Sequence, residues 1–263
     1  MIDINYIADK ISYLNPVNLT EMQSLSLMDR TETKYVVGIN KIAPLIKKIN
    51  GNYKVLEISG QRALDYHNVY LDTPDLLLFD QHVTGKSERY KIRFRNYKST
   101  GVTFLEIKRK NNKGRTKKWR IENQPAESDL LSKDADIFIK QHIGETLTGL
   151  KPVLINNFSR IALGSLETME RITIDYDLKY SDRGGSIARF PYIAVIEVKK
   201  SGAKSFSPFD IVLKDNRMYP CGFSKYCMGT AALKDIRHRN KLKEKFLLIN
   251  KIENEYLRNI YIG

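Results

Sequence analysis

The stretch Arg89-Tyr90-Lys91-Ile92-Arg93-Phe94-Arg95 decides the fold. Side chains in a strand switch faces at every residue, so Arg89, Lys91, Arg93 and Arg95 share one side while Ile92 and Phe94 share the other. Three further segments divide in the same way. Glu106 and Lys108 alternate with Leu105 and Ile107, and Glu197 and Lys199 alternate with Ile196 and Val198. Arg171, Asp175 and Asp177 stand against Ile172 and Ile174. An ordinary half-exposed sheet mixes Ser, Thr, Lys and Glu on its wet side. Here that side is almost purely ionic and mostly cationic. Several such strands closing on each other form a water-filled passage suited to a polyanion.

Lys91, Arg93 and Arg95 follow one another at a pitch of about 6.6 Å, the scale of neighbouring phosphates in an extended polyphosphate. Unopposed, such a row repels itself, so it predicts a bound polyanion or facing carboxylates. The rival reading is an edge strand guarded by charge against aggregation. Recurrence of the pattern in separate strands favours the polyanion. The pairs Glu106/Lys108 and Glu197/Lys199 fit cross-strand salt bridges, or carboxylates that hold Mg²⁺ or Mn²⁺ with phosphate oxygens and water completing the shell. Glu197 is the better metal candidate, because its strand is otherwise apolar from Ile193 to Val198 and a carboxylate there needs a strong reason.

Composition narrows the class. The chain has 263 residues, 42% hydrophobic and 28% charged, which describes a globular protein with a sizeable core. Its net charge of +14 predicts an acidic partner. The N-terminal MIDINYIADKISYL contains Asp3 and Asp9 and does not read as a secretory signal. No segment reads as a membrane-spanning helix, and Cys221 and Cys227 fit a reducing cytosol, so a cytoplasmic location is expected. There is no GxxxxGK[ST] loop, GxGxxG or HExxH, and His67, His82, His142 and His238 are scattered. Lacking helix-terminus anion sites of that kind, the chain is expected to handle phosphate with Arg forks and Lys point charges.

The texture along the chain predicts helices over 4–14 and, capped by Thr20, from Thr20 to Met28. Strands are expected over Thr31–Gly38, Tyr53–Ser59 and Tyr66–Leu71, with a helix over Lys41–Asn50 and a turn at Asp72–Asp75. Glu88–Tyr97 and Val102–Lys110 read as a hairpin, followed by a strand over Arg115–Glu122. Asp134–His142 reads as helix and Pro152–Leu163 as strand running into helix. Arg171–Leu178 and Tyr192–Lys199 read as strands, Pro208–Met218 as a helix, and Met228 to about Arg258 as one long basic helix. The expectation is therefore an α+β fold. An eight-stranded, mostly antiparallel sheet has its greasy face covered by helices. An N-terminal helical segment (1–28), a main domain (29–230) and a C-terminal basic helix (231–263) packed on it make up the chain.

These residues carry a family resemblance. Arg30-Thr31-Glu32-Thr33-Lys34-Tyr35, Tyr70-Leu71-Asp72-Thr73, Lys91-Ile92-Arg93-Phe94-Arg95 and Phe104-Leu105-Glu106-Ile107-Lys108 come first. Arg171-Ile172-Thr173-Ile174-Asp175, Ile196-Glu197-Val198-Lys199 and Phe223-Ser224-Lys225-Tyr226 then follow. In this order the series resembles the catalytic domain of the vacuolar transporter chaperone (VTC) polyphosphate polymerases. These are triphosphate tunnel metalloenzymes, related to CYTH-type triphosphatases. The resemblance implies an eight-stranded antiparallel β-tunnel that binds a nucleoside triphosphate, ATP among them, through its phosphates, with Mg²⁺ or Mn²⁺. It maps phosphate contacts onto Lys34, Arg93, Arg95, Lys108, Arg160, Arg171 and Lys118, or Lys117 with a one-residue shift. It maps the metal-associated carboxylate onto Glu197, with Glu32 and Glu106 as further metal candidates, and the Ser-Lys of the tunnel end onto Ser224 and Lys225. Lys91 and Lys199 join the phosphate-binding set.

Departures from the family pattern are informative. CYTH-type triphosphatases carry Glu-x-Glu-x-Lys where this chain has Arg30-Thr31-Glu32-Thr33-Lys34, which favours the polymerase branch over a two-metal hydrolase. Phe158 stands where eukaryotic polymerases usually have Tyr, and Gly222 where they usually have Lys. Their SPX domain and membrane helices do not read here, so membrane attachment is expected from a partner protein in trans. The leading expectation is transfer of a γ-phosphoryl group to polyphosphate. Its rivals are hydrolysis in the same tunnel and a non-catalytic polyphosphate-binding module. Nucleic acid is not an expected partner, because acids interleave with the cations on the same faces.

Overall fold

The computed structural model describes residues 4–25, 30–49, 51–113, 115–124, 131–145, 147–201 and 207–262. The chain begins with α1 (Ile4–Ser12), β1 (Pro16–Val17), α2 (Leu19–Ser24), β2 (Arg30–Gly38), α3 (Ile42–Lys48), β3 (Lys54–Leu56), β4 (Leu64–Asp72) and α4 (Leu77–Val83). It continues through β5 (Arg89–Tyr97), β6 (Thr103–Lys110), β7 (Thr116–Glu122), α5 (Lys133–Ile143), β8 (Lys151–Ser165), β9 (Glu170–Ser181) and β10 (Ile187–Phe190). β11 (Ile193–Ser201), α6 (Pro208–Asp215), α7 (Lys225–Leu233) and α8 (Lys243–Ile262) complete it.

Eight strands form one continuous antiparallel path in the order β2-β11-β9-β8-β4-β5-β6-β7. The ladder is open, because β2 and β7 do not pair with each other. The sheet nevertheless curls strongly. Lys108 on β6 lies near enough to Glu32 on β2 to lower its carboxyl, although five strands separate the two in the ladder. Short additions extend the edges: β10 pairs with β9, and β3 joins β8 to a parallel β1.

Cross-strand register aligns the charges. Lys34 faces Glu197, which faces Thr173, and Glu32 faces Lys199, which faces Arg171. On the other half Arg93 faces Glu106, which faces Arg120, and Lys91 faces Lys108, which faces Lys118. The alternate residues are fully buried on the outer face. Ile161, Ile172, Ile174, Ile196 and Val198 pack beneath Ile7, Leu45 and Phe209 of α1, α3 and α6. Ile92, Phe94, Leu105 and Ile107 pack beneath Phe138 and Ile139 of α5. Each such aliphatic side chain contributes roughly 1.5–3 kcal/mol on burial, so the outer face fixes which way the ionic side points.

A third cluster fills one end of the inner face. Leu154, Phe158, Tyr180 and Val195 meet Tyr226, Met228 and Ala231 of α7 and Ile249 and Ile252 of α8. Gly229 lets α7 approach this closely, since a Cβ there would fall 2.2 Å from the Tyr180 ring.

Four elements differ from the expectations. Asn18, not Thr20, caps α2, in a reciprocal pair with Glu21; residues 26–28 of that expected helix lie outside the described residues. Segment 152–163 is strand throughout, because β4 and β9 pair with it on both sides. α4 follows the Asp72–Asp75 turn, its first amides bound by the Asp72 carboxylate. The long terminal helix is two helices: α7 ends at Leu233, and left-handed His238 starts a turn that feeds α8.

Candidate active site

Three carboxylates on the inner face each hold cations from neighbouring strands. Arg93 donates through Nε and Nη2 to Oε2 of Glu106 at 2.8 and 2.6 Å, and through Nη1 to the Tyr70 hydroxyl. Arg95 bonds the Asn68 side-chain oxygen at 3.0 Å and pairs with Glu106 at 3.8 Å. Burial would raise the Glu106 carboxyl, but Arg93 and Arg95 hold it down at about 2. Asp175, only 2% exposed, takes both Arg160 and the Lys225 ammonium. Against the same burial, those two cations bring Asp175 to about 2. Glu197 lies between Lys34, at 2.8 Å, and Lys199, and these charges outweigh burial to hold it well below the usual carboxylate range.

Aromatic rings form part of the lining. The Arg95 and Arg160 guanidinium groups sit 5.3 and 5.0 Å from the Tyr66 ring centre, and Phe158 stacks on Tyr66 at 5.2 Å. Lys225 lies 4.6 Å from the Phe158 ring centre, so this position offers the cations a π face where a Tyr would add a hydroxyl.

A second set of cations has no carboxylate partner among the described residues: Lys91, Lys108 and Arg171. Lys91 donates to the Ser224 hydroxyl at 3.1 Å, and the Arg171 Nε is buried with no hydrogen-bond partner. Burial first, then neighbouring cations, lowers all three from their usual values; nearby carboxylates only partly offset this at Lys108. Ser224 caps α7, and with Lys225 it turns that helix N-terminus toward the ionic zone. The N-terminus of α7, where a helix dipole favours negative charge, thus lies beside the ionic zone without any glycine-loop motif to announce it.

The structure brings Lys34, Lys91, Arg93, Arg95, Lys108, Arg160, Arg171, Lys199, Ser224 and Lys225 onto one face with Glu32, Glu106 and Glu197. Lys118 is more exposed than these, but it faces Lys108 and its charge helps to lower Glu106. Lys117 pairs with Arg109 on the opposite face, so the one-residue shift is not adopted. The sequence reading gave no role to Asp175, although an acid in an apolar strand was the same signal that marked Glu197. Asn68, Tyr66 and Tyr70 were also missed, because buried polar and aromatic residues carry no charge pattern.

The donor set bears on a metal. Among the described residues no three His, Cys, Asp or Glu side chains cluster as an all-protein cage. Glu32 and Glu197 are close enough that Glu197 opposes ionisation of Glu32, while Lys34 and Lys108 pull Glu32 below its usual value. Two carboxylates beside a cation cluster fit a divalent ion whose other positions come from a bound ligand's oxygens and water.

A curled antiparallel sheet with helices on its outer side and cations converging on its inner face is the α+β triphosphate tunnel fold. Residues 29–234 match the VTC domain, and the chain belongs to that family. Among solved structures it resembles a Bacillus halodurans protein named as a candidate adenylate cyclase. The TM-score is 0.50 at 16% identity, covering 75% of this chain and 96% of that one. A candidate adenylyl cyclase from Hippeastrum, named for a dominant triphosphatase activity, aligns with a TM-score of 0.48 at 15% identity, over 80% of this chain and 99% of its own. A candidate adenylate cyclase from Vibrio parahaemolyticus aligns with a TM-score of 0.41 at 13% identity, over 83% and 99%. At such identities the first of these speaks to the fold alone. No curated protein matches the chain. No helix among the described residues is long and apolar enough to cross a membrane.

Proposed function

We propose that the chain is a phosphotransferase that moves the γ-phosphoryl group of a nucleoside triphosphate, ATP for example, onto polyphosphate. One observation carries the reading: Lys91, Lys108 and Arg171 lie on the inner face with no ion-paired carboxylate among the described residues. Glu32 and Glu197 offset the charge of Lys108, and Glu197 that of Arg171, only in part. A triphosphate supplies the missing negative charge. Phosphoryl transfer asks little covalent chemistry of a protein, only alignment and charge neutralisation. Arg93, Arg95, Arg160 and Arg171 hold the phosphate oxygens and spread the charge of the transferring group. Glu106 and Asp175 keep three of these guanidinium groups in place. Lys34, Lys108, Lys118, Lys199 and Lys225 guide donor and acceptor chains, and Lys91 and Ser224 meet them at the N-terminus of α7. Glu197 and Glu32 would hold Mg²⁺ or Mn²⁺. When bound, the ion would neutralise part of the charge on the phosphate oxygens.

The tunnel domain spans 29–230 in this reading, with residues 1–28 and 231–263 as helical additions. Free Cys221 and Cys227 suit a cytoplasmic protein, and membrane association falls to a partner protein in trans. The test is incubation with ATP, Mn²⁺ and a polyphosphate primer. Long chains visible on a gel support the polymerase; free phosphate alone means hydrolysis in the same tunnel, and binding without turnover means a polyphosphate-binding module. Arg93→Ala and Glu197→Ala, checked for folding by circular dichroism, should abolish turnover. Near-normal ATP consumption by either variant sinks the site assignment.

A further inference from the structure

Between residues 234 and 245 the sequence carries Lys234, Arg237, Arg239, Lys241, Lys243 and Lys245 against only Asp235 and Glu244. Arg237, Arg239, Lys241 and Lys243 are exposed, and none of the six cations is ion-paired to a carboxylate among the described residues. The backbone here is fixed. His238 adopts φ 60°, the turn Arg239–Leu242 runs directly into α8, and Leu242 is buried beneath it. A cavity of about 390 Å³ opens at this junction, lined by Arg239, Asn240, Lys243, Phe246 and Asn250. Lys243, Phe246 and Asn250 recur at helical spacing, so they share one face of α8. Arg239 sits 5.8 Å from the Phe246 ring centre, and Phe246 meets Phe190 of β10 edge-on, which ties the cavity floor to the sheet.

The lining offers a guanidinium fork, an ammonium and two carboxamides, with no carboxylate to repel an anion. The cations running past the cavity suit an extended polyanion better than a single phosphate group. A lipid surface fits less well, because Leu247 is the one large apolar side chain exposed among the described residues of α8. We propose that this junction is a second polyanion site, holding a segment of inorganic polyphosphate outside the inner face. Along the chain α7 and residues 234–238 lie between it and Ser224, the N-cap of α7. The naming of the polyanion as polyphosphate rests on the activity proposed above; the site itself rests on the cavity and its cations.

The experiment measures binding of fluorescently labelled long-chain polyphosphate, of tripolyphosphate, and of phosphatidylserine vesicles. It compares the full chain with its Arg239→Glu/Lys243→Glu variant. The double variant should bind long-chain polyphosphate about tenfold more weakly, with a shallower salt dependence, because fewer counterions are displaced. Its tripolyphosphate affinity should be unchanged, since the inner face is untouched. Unchanged long-chain binding overturns the proposal, and so does a loss confined to vesicles. An Arg239→Gln/Lys243→Gln variant, which removes charge without reversing it, should fall between the two. A wild-type chain that makes no polymer overturns the proposed activity but leaves this binding result standing.

Discussion

Two sets of cations share the inner face and differ in what surrounds them. Arg93, Arg160, Lys34 and Lys199 each sit against a carboxylate, whereas Lys91, Lys108 and Arg171 have no ion-paired acid among the described residues and neighbouring cations that oppose their charge. The first set behaves as part of the fold, because each carboxylate offsets the desolvation of its cation, fully at Arg93, Arg160 and Lys34 and in part at Lys199. The second set carries an electrostatic cost that the folded chain alone does not relieve. A site that binds polyanions needs both kinds: paired cations for rigid geometry, and unpaired ones whose burden is lifted only by the ligand.

The largest effect should come from breaking the paired set at its most buried point. Asp175→Asn leaves Arg160 and Lys225 without their shared counter-charge, while the side-chain volume is kept. Removing one partner of a buried ionic group costs about 3–5 kcal/mol, read as a lowered urea midpoint at unchanged slope. A loss under about 1 kcal/mol would mean the triad is solvated and the contrast drawn here is false.

Acid should act on the same set with a smaller effect. Glu106 and Asp175 are held at about 2, below the usual 4.5 and 3.8. Their contribution is complete above those usual values and is lost as pH falls toward 2. Each is on the order of 2–3 kcal/mol, by linkage. Glu106→Gln should lower stability at neutral pH and flatten the stability-against-pH curve between about 4.5 and 2. A variant curve parallel to wild type in that window would remove Glu106 from the account.

How much of this was visible in the sequence depends on the length scale of the signal. The β5–β6 hairpin was legible because its alternation is strict and its turn short, so local pattern and tertiary pairing agree. The same alternation located Arg93, Lys108 and Glu197 on one face, while Lys34 was placed by the family resemblance. Segment 152–163 was misjudged because Asn156, Asn157 and Ser159 blur the period; pairing with β4 and β9, remote in sequence, decides it. The break between α7 and α8 rests on a left-handed His238, which no glycine or proline announces. The Asp175 triad joins β8, β9 and the start of α7, three segments whose meeting only the folded chain displays.

The unpaired set should respond oppositely to truncation. Lys108→Met removes a half-buried charge and keeps most of the aliphatic volume, so stability should hold or rise slightly. Affinity for tripolyphosphate should fall about tenfold, equivalent to about 1.4 kcal/mol. Calorimetric titration and a urea melt on the same sample check both halves. If the melt shows a loss comparable to that of Asp175→Asn, Lys108 belongs with the paired cations and the comparison collapses.

The smallest effect sharpens the contrast through protons. Lys91 and Lys108 lie below the usual 10.5, burial being the first cause, so the ligand-free chain disfavours their charged forms. That penalty is present at lower pH and disappears as pH rises toward 10.5. A bound polyanion favours the charged forms and restores the lost range, so binding takes up protons wherever these lysines are partly neutral. Tripolyphosphate affinity should therefore decline by a few-fold as pH rises through the window below 10.5. Titrations in buffers of different ionisation enthalpy read the proton uptake directly. The Lys91→Met/Lys108→Met variant should show a flatter decline, the remainder coming from Lys199 and Lys225, which burial also lowers despite their carboxylates. An equally steep decline in that variant would place the titrating groups elsewhere on the inner face.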